Sequence, residues 1–195
     1  PSSPHAEFAP ANDARRHVGP SVRVTIGAGY AFADHDLKKG EAKISGPNAL
    51  ISIDVGGTPV ENLIVFGRLS GFGVDQARDI DDSAGMGSAF FALIGAGARY
   101  HVMPYDWYFS GMLGLSLVSV VSTTGDAQDA GPGFGFELET GKNWWAGSYK
   151  DRWTIGLGLK FAYALSGSTS SFDNDKAHES WSGAALSLVF ATSYN

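Results

Sequence analysis

Residues 153–166, WTIGLGLKFAYALS, alternate without a break. Trp153, Ile155, Leu157, Leu159, Phe161, Tyr163 and Leu165 are large and apolar, whereas Thr154, Gly156, Gly158, Lys160, Ala162, Ala164 and Ser166 are small or polar. A period of two is the mark of a β-strand with two unlike faces. A soluble strand of this length normally carries several charged side chains on its water-facing side. Here the second face is Gly, Ala and Ser with one lysine, as suits a narrow and crowded interior.

The same pattern recurs along the chain. Expected strands are Ser21–Ala33, Asn48–Gly57, Leu63–Val74, Ser88–Met103, a fifth from Trp107, a sixth around Phe134–Thr140, Trp153–Ser166 and Trp181–Tyr194. Leu63–Val74 is the least clean, because Ile64, Phe66 and Phe72 share its polar side. Residues 34–47, 75–87, 122–131 and 167–180 read as long polar loops. Residues 58–62, 104–106 and 146–152 read as short turns. An even number of alternating strands, with long loops at one end and short turns at the other, predicts an eight-stranded antiparallel up-and-down transmembrane β-barrel over residues 20–195. Residues 1–19 are aperiodic and Pro/Ala-rich, and are expected to form an irregular arm, with a plug or partner-binding peptide as its functional alternative.

Composition narrows the function classes. Charged residues are 17% of the chain, below the roughly 25% of a soluble domain. No apolar run reaches the ~18 residues of a transmembrane helix, so a membrane crossing has to be made by a closed barrel. A net charge of -6 without a basic run argues against nucleic acid. With no Cys there is neither a disulfide framework nor a thiolate metal site.

If the apolar faces meet lipid, Arg23, Asp54, Arg68, Arg99, Glu137, Glu139 and Lys160 point inward. An eight-stranded barrel is only wide enough for side chains to fill it, so a buried ion-pair network is expected rather than a pore. Glu137 and Glu139 share a face and repel, which predicts Arg99 or Lys160 between them. His101, also inward, is expected in that network. Trp107, Trp144, Trp145 and Trp153 flank the short turns and, with Tyr194, predict an aromatic girdle at one membrane surface.

The strands GFGFELETGKNWW, RWTIGLGLKFAYAL and AALSLVFATSYN resemble those of small bacterial outer-membrane β-barrel proteins, the OmpA/OmpX-like class. The resemblance covers roughly residues 20–195 and carries over no catalytic residue. It implies a non-enzymatic outer-membrane protein with structural, adhesive or accessory roles and with both termini in the periplasm. Its implied partners are outer-membrane lipid and lipopolysaccharide, and other envelope proteins met through loops or the arm.

Rival chemistry was sought in the same residues. His178-Glu179-Ser180 resembles the His-x-Ser pair of an outer-membrane lipid A deacylase, but nothing in the sequence fixes a triad around it. Asp79, Asp81 and Asp82, and Asp173-Asn174-Asp175, lack the spacing of a calcium loop. Gly-x-Gly recurs, at Gly27/Gly29, Gly71/Gly73, Gly95/Gly97, Gly133/Gly135 and Gly156/Gly158 among others, without completing a nucleotide-binding fingerprint. No catalytic residue, metal ligand or cofactor is therefore assigned. A narrow channel or transporter, a lipid-modifying barrel enzyme using the last loop, and a soluble barrel with an apolar ligand remain as alternatives.

Overall fold

The computed structural model describes residues 16–37, 40–75, 86–122, 127–146, 152–166 and 180–194. Eight strands follow in chain order: β1 Gly19–Leu37, β2 Gly40–Val60, β3 Leu63–Asp75, β4 Met86–Val102, β5 Trp107–Ser122, β6 Ala127–Ala146, β7 Trp153–Leu165 and β8 Ser180–Tyr194. Each pairs antiparallel with its sequence neighbours, and β1 pairs with β8, so the sheet closes. Closure leaves no edge of unpaired backbone groups, which is what a β-structure in lipid requires.

Two expected loops are strands. Residues 34–37 and 40–47 form the far end of a β1–β2 ribbon whose register continues to Leu37 opposite Gly40. Residues 127–131 belong to β6, across a register shift near Ser116 and Val118. Polarity alone reads both segments as loops. Strand pairing satisfies the backbone whatever the side chains are, so a polar ribbon can extend a barrel wall past its apolar band. At the other end, β2 runs on to Val60, and the turn shrinks to Glu61 and Asn62.

Alternation holds through the register. Leu69, Ile94 and Leu115 lie side by side on the outside of β3, β4 and β5, each more than half exposed. Their inward neighbours are buried. Towards the long-loop end the interior is apolar: Phe72 stacks on Phe91 at 4.9 Å, among Leu50, Val74, Leu93 and Trp181. Nearer the short-turn end it is polar and charged.

Glycine pairs make room for that filling. Gly141 and Gly158 face each other across β6 and β7, and the Tyr108 side chain lies over them. A methyl on Gly158 would stand 2.6 Å from the Tyr108 hydroxyl and 2.5 Å from the Thr140 carbonyl. Gly158→Ala is accordingly expected to cost about 1–3 kcal/mol of stability by overpacking. Urea titration of the folded barrel in detergent checks it, and an unchanged midpoint would show that the Tyr108 slot is slack.

Candidate functional site: the filled lumen and its closed end

The inward charges of β1, β2, β3, β4, β6 and β7 meet across the lumen in one network. Register starts it by placing Asp54 opposite Arg68 and Glu139 opposite Lys160. Arg68 grips Asp54 with a two-point fork, Nε to Oδ1 at 2.6 Å and Nη2 to Oδ2 at 2.8 Å. Its Nη1 donates to Glu137 Oε2 at 2.7 Å, and Nη2 lies 3.4 Å from Glu139. Lys160 Nζ sits 2.9 Å from Glu137 and 3.9 Å from Glu139, and donates to Ser52 Oγ at 3.0 Å. Arg23 reaches across to Glu139 at 3.0 Å, while the Tyr108 hydroxyl accepts from Arg23 at 2.7 Å and donates to Glu139 at 2.9 Å. Arg99 pairs with Asp54, and its guanidinium lies over the Phe66 ring.

Every one of these seven charged side chains is at most 4% exposed. Buried charges persist only where partners and hydrogen bonds replace water. The arrangement fills the lumen's cross-section with ion pairs.

Lys160 stands between the two glutamates, one of the two cations expected there, while Arg99 is directed to Asp54. Two expected placements, those of His101 and Trp145, need correction. Trp145 is not in the lipid-facing girdle. Trp144 and Trp145 are adjacent in one strand, so they must point to opposite faces. Trp144 faces out with Trp107, Trp153 and Tyr194, and the Trp153 and Tyr194 rings meet edge to face at 5.5 Å. Trp145 turns inward, with its ring 5.0 Å from His17.

His101 joins a second cluster, at the short-turn end. Its Nδ1 lies 2.7 Å from Asp106 Oδ1, and His17 Nε2 lies 3.0 Å from the same oxygen. The two imidazoles stack at 3.6 Å. Asp106 reaches this point from the β4–β5 turn, in a left-handed conformation (φ 54°) that Asp tolerates. Burial pushes the Asp106 carboxyl up, but hydrogen bonds to His101 and His17 outweigh it and hold the carboxyl below its usual range.

His17 comes from the segment expected to be an irregular arm. Residues 16–18 are instead bound to the barrel end. The His17 backbone exchanges hydrogen bonds with Asn62, both at 3.3 Å, and Arg16 pairs with Glu61 at 3.2 Å. Residues 1–15 lie outside the described residues, as do the three acidic positions 79, 81 and 82, the acidic stretch 173–175, and His178 and Glu179. The side chain of Ser180 is likewise outside them.

Sequence reading overlooked Tyr108, Asn143, Ser52 and Ser70 as members of the main network. Strand parity puts all four inward, so that signal was present. For His17 and Asp106 there was none, because neither lies in an alternating segment.

No family model matches the chain, and no curated protein does. Among solved structures, it is similar to Neisserial surface protein A, at 19% identity, over 88% of this chain and 97% of that one, with a TM-score of 0.50. It is also similar to Ail, the attachment invasion locus protein of Yersinia pestis, at 11% identity over 89% and 99%, with a TM-score of 0.44. With its closed register and inverted faces, the chain has the fold of a small eight-stranded outer-membrane β-barrel.

Proposed function

We propose that the chain is a non-enzymatic integral protein of the bacterial outer membrane, with a sealed lumen and a binding or structural role at its long-loop end. The observation that carries this reading is the inversion of its faces: large apolar side chains ring the outside, while seven charged ones lie buried inside. A soluble barrel with that exterior would expose a hydrophobic patch far beyond the few hundred Å² a monomer tolerates. The polar β1–β2 ribbon rises at the end opposite the short turns, where lipopolysaccharide headgroups or another envelope protein would meet it.

The N-terminal segment, the end of β8 and the short turns lie at one end of the barrel. Bacterial barrels keep their short turns on the periplasmic side, which favours periplasmic termini. The non-enzymatic reading is supported by the filled interior, where the seven charged side chains are at most 4% exposed and pair with one another.

Planar-bilayer recording tests the seal. The purified barrel should insert without conductance steps at moderate voltage. Regular steps that persist at low protein dose would contradict a filled lumen and favour a narrow channel.

A further inference from the structure

We propose that His17, His101 and Asp106 form a binding site for a borderline divalent transition metal, of which Zn²⁺ is the natural probe, clamping the segment before β1 to the barrel end. The three residues come from two separate parts of the chain, the segment before β1 and the junction of β4 with its following turn, yet one ligand atom of each lies within 4.8 Å of the other two. All three are nearly or fully buried. Hydrogen bonding alone does not account for them. Both imidazoles converge on a single carboxylate oxygen, and His17 Nδ1, His101 Nε2 and Asp106 Oδ2 remain buried without a partner among the described residues. That is an expensive way to close a barrel, because native structures leave few such atoms unpaired.

The donor set selects the ion. Two imidazole nitrogens and one carboxylate suit Zn²⁺, Ni²⁺ or Cu²⁺, whereas Ca²⁺ and Mg²⁺ take oxygen ligands. Ligand bonds of ~2.0–2.1 Å set the donors of a tetrahedral ion roughly 3.3 Å apart. The 2.7 and 3.0 Å spacings to Asp106 would open slightly, and the donor set, now within 4.8 Å, would draw in around the ion. On binding, His17 Nε2 and His101 Nδ1 present lone pairs to the ion, and their protons move to His17 Nδ1 and His101 Nε2. Those nitrogens are the ones without a hydrogen-bond partner among the described residues. Three protein ligands leave at least one position for water. Because His17 precedes β1 and is tied to Asn62 and, through Arg16, to Glu61 next to it, an ion here would fasten three parts of the chain together at the short-turn end.

The test is calorimetric titration of Zn²⁺ into the full chain, folded in detergent and stripped with EDTA. One ion per chain is expected, with affinity falling at least tenfold in His17→Ala. The variant His5→Ala/His35→Ala/His178→Ala, which removes the other histidines, should bind as the parent does. Zn²⁺ should also raise the unfolding midpoint of the parent and not that of His17→Ala. No binding to the parent, equal binding to His17→Ala, or loss of binding in the triple variant would overturn the site. If His17→Ala does not fold, Cu²⁺ electron paramagnetic resonance on the parent decides. Coupling to two nitrogens supports the site, and a spectrum with none overturns it.

Discussion

Asp54→Asn is expected to destabilise the barrel by about 3–5 kcal/mol, the cost of leaving a buried cation without its partner. Asp54 is the carboxylate that two arginines share. Arg68 would keep Glu137 and Glu139, at 2.7 and 3.4 Å. Arg99 would keep the faces of Phe66 and Tyr108 and the more distant charge of Glu139, with its Nε unpartnered among the described residues. The asymmetry supplies a sharper test. Among the described lumen residues Arg23, Arg68, Arg99 and Lys160 oppose Asp54, Glu137 and Glu139, so one cation is in excess. Arg99→Met removes that excess and sets an apolar chain of similar length against Phe66. Exchanging a buried charge for a well-packed apolar group is often neutral or stabilising, so this change should cost under ~1 kcal/mol. Arg99→Met should also rescue most of the loss when added to Asp54→Asn. Denaturant titration of the four proteins as a double-mutant cycle measures this. Equal and additive losses would mean that Arg99 does not depend on Asp54.

Leu113→Arg is expected to cost about 2–4 kcal/mol when folding is measured into lipid vesicles. Leu113 is 61% exposed on the outside of β5. It lies six residues beyond Trp107, which at ~3.3 Å per residue and ~40° tilt is roughly 15 Å from the aromatic girdle. That is close to the middle of an apolar band ~25 Å tall. Val102, paired with Trp107 at the girdle, should accept arginine at about 0–1 kcal/mol. Depth, and not exposure, thus separates the two sites. Were the outer face in water, both substitutions would stay within about 0.5 kcal/mol.

Period-two alternation was enough to read the strand count and the face that most strand residues take. It acts locally, and each strand carries it. The partners across the lumen were not legible. Whether Arg23 meets its strand neighbour Asp54 or the distant Glu139 depends on the stagger of the closed sheet, which no single strand encodes. Lys160 was placed with the glutamates because β6 and β7 are adjacent in sequence, so its pairing is local. Between the two cations offered for the glutamates, the alternation cannot choose, because Arg99 is directed by Asp54, two strands away. Trp145 was misread although the answer lay in the dipeptide Trp144-Trp145, where strand parity allows only one outward ring. The β1–β2 ribbon was lost to composition, since charge marks exposure to water and not the absence of a strand. His17 left no trace in the pattern, because a residue before the first strand has no period to belong to.

Carbonate extraction of native membranes, followed by electrophoresis with and without boiling, tests most directly whether the apolar outer face sits in lipid. The chain should stay in the membrane pellet and run as two bands, with the unboiled form migrating apart from the boiled one. Release into the carbonate supernatant, with a single mobility under both conditions, would contradict an integral barrel.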